Sequence, residues 1–201
     1  MADKKDKGSS GSGAVITMFV ILGAIAVWSL ISPEFLMNSL QAERAFAVQM
    51  GGIDSDRWIY TQSISAGTDL LKDSTSAIKD TQALPSMVKN WSQERIIVSW
   101  LWYSLIIYRA YTLLLYFFIL LPYVIPITMD GCGVREIRMH RISSQSPMKH
   151  RFGVILSNTT LICAAIWIVL PFPIPSVVAP LAIMAVGMAG WIWLVNLQKR
   201  I

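Results

Sequence analysis

The sequence predicts an all-α membrane protein of four transmembrane helices, with both termini cytoplasmic and a helical extracytoplasmic segment between spans 1 and 2. Three observations predict it. Of 201 residues, 54% are hydrophobic and 14% charged, against roughly 25% charged in a soluble domain, and the mean hydropathy is +0.53. Four apolar stretches are long enough for a hydrocarbon core of about 30 Å, which takes roughly 20 helical residues. Lys and Arg are shared unevenly among the segments between them, as the positive-inside bias requires. Too little charge is present to dress a water-facing surface. That excludes a soluble enzyme, a disordered chain and a disulfide-stapled secreted module.

Residues 1–13 form a cytoplasmic tail, in which 8–13 (GSSGSG) is a flexible polar linker. The first span, 14–32, is apolar up to Ser32-Pro33. Lys4, Lys5 and Lys7 ahead of it also suit a cleaved signal peptide cut after Ala24-Ile25-Ala26. The apolar run is long for a signal core, and Trp28 and Leu30 follow that cut without a break. It is therefore read as a span.

Residues 33–95 form the outer segment. Leu36, Leu40, Glu43, Ala47 and Met50 mark one helical face, with Phe46 beside it, and Gly51-Gly52 ends that helix. Ile53, Ile64, Leu70, Leu71 and Ile78 are spaced loosely along a second, more polar helix that Pro85 terminates. The apolar content is too low to bury a core alone. A helical hairpin lying on the membrane or on a partner is expected.

A long helix over 96–128 carries the second span, at roughly 105–127. Trp91, Trp100, Trp102, Tyr103 and Tyr108 read as an interfacial belt at its outer end, and Pro122 and Pro126 should kink its last turns. A cytoplasmic basic loop, 129–151, follows, with a turn at Asp130-Gly131 and Gly133. The third span, 152–170, and the fourth, 177–196, are joined by a short periplasmic turn, 171–176, containing PFPIP. Proline continues neither helix, so the pair is an antiparallel hairpin. Residues 197–201 form a cytoplasmic tail.

Orientation follows from the bases. The tail at the start, the 129–151 loop and the C-terminus hold ten Lys and Arg, whereas the 33–95 segment holds six, offset by eight acids. Basic loops stay in the cytoplasm. The net charge of +5 is thus topological, and no direct contact with nucleic acid is expected.

Candidate sites are few. Arg135, Arg138 and Arg141 recur every three residues and should form a basic ridge on a short helix. The ridge would attract anionic headgroups or dock a cytoplasmic protein. Arg109 is the ionisable residue well inside an apolar stretch. It can snorkel toward headgroups, face a partner or line a pore. Asp130-Gly131-x-x-Val134-Arg135 approaches the core motif of the CDP-alcohol phosphotransferases. Their metals need clustered carboxylates, yet Ile127 stands three before Asp130 and no Asp pair follows Arg135. Cys132 and Cys163 fall in environments that cannot share a disulfide, and His140 and His150 make a poor metal pair among cations. No catalytic, metal or cofactor residue is therefore assigned, and the chain is not expected to be an enzyme. Ala182, Ala185, Gly187, Ala189 and Gly190 give the fourth span a small-residue face, suited to neighbouring spans or to another subunit in an oligomer.

One span, an outer helical segment with Trp near its end, a long second span, a basic loop and a closing hairpin form a recognisable layout. Together with Asp130-Gly131, Arg135-Glu136-Ile137-Arg138, Ser144-Gln145-Ser146 and His150, it resembles the TraJ-like inner-membrane proteins of integrating conjugative elements and H-type plasmids. The resemblance implies a non-enzymatic role in DNA transfer through a type IV secretion apparatus in the bacterial inner membrane. It also implies binding to the membrane region of the coupling ATPase, alongside other secretion-complex membrane proteins. The alternatives are a membrane sensor or regulator with an extracytoplasmic helical segment, or a structural subunit of another envelope complex.

Overall fold

The computed structural model describes residues 10–79, 86–140 and 147–197. Within them the chain forms six helices and no strand: α1 (Ser10–Leu30), α2 (Pro33–Gly51), α3 (Ile53–Lys79), α4 (Ser86–His140), α5 (Pro147–Val169) and α6 (Val178–Val195). Three of these are long and apolar enough to cross a membrane, namely α4, α5 and α6. The apolar part of α1 passes the same test only jointly with α2, from which it is bent by 99°.

Two breaks shape the first half. Ser32 is extended, and its hydroxyl accepts the Phe35 N–H at 3.3 Å, while Pro33 takes the first helical position. Both features start a new helix rather than prolong α1. Gly52 adopts φ +82°, a left-handed conformation open to glycine, and its N–H closes α2 on the Val48 carbonyl at 3.0 Å. The expected end of α2 is therefore where the structure has it.

The 33–95 segment departs from expectation. Leu36, Leu40 and Ala47 of α2 and Ile59 of α3 are buried together with Val98, Leu101, Leu105 and Tyr108 of α4. The hairpin lies on the first half of α4, whose face supplies the apolar surface that α2 and α3 lack. Met50 and Phe46 stay exposed, at the edge of that face. Gly67 of α3 sits so close to α4 that a Cβ there would meet the Trp100 indole nitrogen at 2.7 Å.

The 129–151 segment also differs. Instead of a turn at Asp130-Gly131, α4 continues to His140, for 55 residues, with Pro122 and Pro126 inside it. Packing on α6 explains this. The Asp130 carboxylate accepts the Trp191 indole N–H at 2.8 Å, and Gly131 lies buried against Trp191 and Leu194. Such contacts outweigh the penalty of about 1 kcal/mol for a glycine inside a helix. Helix α5 likewise begins early, at Pro147, a residue suited to a first helical turn.

Helix α6 is the hub of the second half, packed on both α4 and α5. Two of its small residues pack within the chain. Gly187 faces Tyr123, Val124 and Ile127 of α4, and Ala189 lies buried against Gly153 of α5. At Gly153 a Cβ would meet the Trp193 backbone nitrogen at 2.9 Å and the Ala189 carbonyl at 3.1 Å. Backbone cannot step aside as a flexible side chain can. Gly153→Val is therefore expected to pry α5 from α6 and destabilise the protein by about 1–3 kcal/mol, read as a lower melting temperature in detergent. Gly190→Ala, where nothing lies within 4 Å, should melt like the parent. Equal melting of all three proteins would refute the close approach.

Candidate functional site

Among the described residues, the most enclosed polar cluster lies where α2, α4 and the α5–α6 connection meet. Arg109 of α4 is 0% exposed and Glu43 of α2 is 1% exposed. The Arg109 Nε donates to the Glu43 carboxylate at 3.0 and 3.2 Å, and its Nη2 donates to Oε1. The rest of the guanidinium turns to the end of α5. Nη1 donates to the carbonyls of Trp167 and Leu170, and Nη2 donates to that of Phe172 at 2.6 Å. A helix C-terminus leaves carbonyls without partners and carries partial negative charge, so a buried cation there serves as a cap. Glu43 completes the staple: its Oε1 accepts the Ile174 N–H at 3.2 Å and its backbone carbonyl accepts the Ser176 hydroxyl at 3.3 Å. Trp102 adds a third tie, donating from Nε1 to the Val169 carbonyl at 2.8 Å.

Arg109 thus neither reaches for headgroups nor faces outward. The acceptors that a guanidinium would otherwise seek in lipid or in another protein are supplied by its own chain.

Two further polar ties share α4. Asp56 of α3 accepts Arg44 Nη2 at 2.8 Å and the Tyr108 hydroxyl at 2.9 Å, linking α2, α3 and α4. The Arg44 guanidinium also lies 3.7 Å from the Tyr60 ring centre. Its hydrogen bond to Asp56 holds Arg44 above its ordinary range, so it stays a cation. Arg95 donates to the carbonyls of Trp28, Ser29 and Ile31 at 2.7–3.0 Å, capping the end of α1 as Arg109 caps α5. Arg95 and Arg109 stand fourteen residues apart, close to four full helical turns, on nearly the same side of α4.

These ties fix helix directions. The end of α1 meets α4 near Ser99, through a 2.9 Å bond from Trp28, and the end of α5 meets it near Arg109. At the opposite end α6 meets α4 near Asp130. Helices α1 and α5 therefore run against α4, and α6 runs with it.

The basic ridge is divided. Arg135 and Arg138 lie half-buried on the last turns of α4, whereas Arg141 lies outside the described residues. Arg138 borders a cavity with Lys149, at the end of the molecule far from Arg109. Among the described residues no three His, Cys, Asp or Glu side chains gather as a metal site, and Cys132 and Cys163 are exposed and unpaired.

Sequence reasoning missed Glu43, Asp56 and Arg95 as structural partners. Glu43 left a trace, since a lone carboxylate in the middle of the Leu36, Leu40, Ala47 stripe points to a buried cation elsewhere. Asp56 and Arg95 left none, as each is one charge among many in a polar segment.

A family described as IncC plasmid conjugative DNA transfer protein, DtrJ-like, matches residues 41–198. The match agrees with the sequence resemblance as far as conjugative DNA transfer. No curated protein and no solved structure matches the chain.

Proposed function

The chain belongs to the DtrJ-like family of conjugative DNA transfer proteins, and from that premise we propose that it is a non-enzymatic inner-membrane component of a type IV secretion apparatus. It crosses the membrane four times, with both termini in the cytoplasm and α2 and α3 outside. It binds the membrane region of the coupling ATPase, the protein that brings DNA to the channel. The family match carries the role in transfer.

Other observations support the finer reading. Bases are concentrated in the segments assigned to the cytoplasm. The alternating directions of α1, α4 and α5 suit successive crossings, and α6 returns beside α4. The polar staple closes on itself: each Glu43 oxygen is already engaged by Arg109, so the cluster reads as architecture rather than as a reactive centre. The basic end of α4 offers Arg135 and Arg138, with Arg141 beyond, for carboxylates on a cytoplasmic partner.

Affinity capture of the full chain from transfer-competent cells in mild detergent tests the proposal. The coupling ATPase is expected among the captured proteins. The triple variant Arg135→Lys, Arg138→Lys, Arg141→Lys keeps the charge but loses the bidentate fork, so it should insert normally and capture about tenfold less ATPase. Capture of the remaining secretion proteins without the ATPase would overturn the coupling role. Unchanged capture by the variant would remove the arginines from it.

A further inference from the structure

We propose that the wedge between the ends of α4, α5 and α6 is a binding site for the headgroup of an anionic phospholipid. The proposal rests on the membrane reading of these three helices and not on the role in conjugation. A cavity of about 450 Å³ opens there. Arg138 comes to it from α4 and Lys149 from the first turn of α5, two cations brought together from opposite sides of the 141–146 connection. Its remaining wall includes Phe152, Trp191 and Val195.

Three features define the ligand. First, the charge is uncompensated. None of the described residues lining the cavity is acidic, and the described ion pairs, Arg44–Asp56 and Arg109–Glu43, involve neither cation. Asp130 keeps its charge, but its carboxylate is turned to the Trp191 indole at 2.8 Å and does not line the cavity. Glu136 is exposed, and two residues of helix turn it to the far side of α4 from Arg138. Second, the rest of the wall is apolar except for Asn196, whose amide donates to the Ile192 carbonyl at 2.8 Å, and it is continuous with the exposed faces of helices long enough to span a bilayer. A free phosphate would satisfy the cations and leave that wall wet, whereas a phospholipid satisfies both. Third, the position is interfacial. The cavity lies at the helix ends with Trp191 in its wall, and amphipathic rings and basic side chains collect at the headgroup level.

The site differs from a diffuse attraction of the basic segments to a charged surface. It requires Arg138 and Lys149 in particular, and it requires cations rather than guanidinium geometry. Arg138→Lys should therefore keep the lipid while weakening capture of the coupling ATPase, so failure of one proposal leaves the other readable.

The test is retention of phosphatidylglycerol by the full chain in nanodiscs of mixed phosphatidylcholine and phosphatidylglycerol, read by native mass spectrometry after transfer to neutral detergent. The parent should hold phosphatidylglycerol in preference to phosphatidylcholine. Each basic side chain near an anionic headgroup contributes about a fivefold factor, so Arg138→Gln with Lys149→Gln should weaken retention about thirtyfold. Lys149→Gln alone, at an exposed position that cannot compromise folding, should weaken it about fivefold. The control Arg57→Gln with Lys89→Gln removes the same charge from α3 and the first turn of α4, at the other end of the molecule, and should retain lipid like the parent. Equal loss in the control, or parental retention by the double variant, would reduce the effect to surface charge and overturn the site. Displacement of the lipid by inorganic phosphate would make this a phosphate site and overturn the assignment. Displacement by the cytoplasmic part of the coupling ATPase would make it a protein contact, with the same consequence.

Discussion

Arg109→Leu is expected to be the most destabilising single substitution in the described part of the chain. The replacement leaves the Glu43 carboxylate buried without its cation and strips the carbonyls of Trp167, Leu170 and Phe172 of their donor. Breaking a buried pair by removing one partner costs about 3–5 kcal/mol, and the orphaned carbonyls add to it. The protein should melt early in detergent, and the α5–α6 connection should become accessible to protease. Glu43→Gln should cost less, because the guanidinium keeps its carbonyl acceptors and the amide still accepts from the Ile174 N–H.

The charge-swapped double variant, Glu43→Arg with Arg109→Glu, separates this account from a simple ion pair. If mutual attraction were all that mattered, the swap would restore stability. The structure requires a cation at position 109 for the negative end of α5, so a carboxylate there faces three carbonyl oxygens and is repelled. The double variant should be no more stable than Arg109→Leu. Recovery to the parental melting temperature would show that the cap contributes little.

How much of this was legible depends on what each signal measures. Hydropathy and prolines mark apolar runs and their ends, which is why Ser32-Pro33, Gly51-Gly52 and the PFPIP turn fall where the chain turns. They do not measure what a helix packs against. Asp130-Gly131 and Gly133 read as a turn because glycine favours one locally, yet the Trp191 contacts on α6 carry α4 straight through. The α2–α3 hairpin reads as too polar to pack because its core is completed by Val98, Leu101 and Leu105, counted in the sequence toward another element. Arg109 stood out as a charge in an apolar run, and that part of the site was visible. Its partner was not, since pairing across sixty-six residues has no local signature. The small residues of α6 signalled close packing without saying whether the neighbour was α4, α5 or another chain.

The central claim is that this chain is a membrane component on which conjugative DNA transfer depends. Its family membership motivates the claim. On the proposed reading the protein acts at every transfer event, so its loss should abolish transfer rather than slow it. On the same proposed reading, membrane abundance of the other secretion proteins should stay unchanged, because a partner of the coupling ATPase does not build the core of the apparatus. The decisive measurement is transfer frequency from donors carrying a clean, in-frame deletion, complemented in trans by the parent or by Arg109→Leu. The account predicts transfer at the detection limit in the deletion, full recovery with the parent and little recovery with the variant. Undiminished transfer from the deletion donors would contradict it.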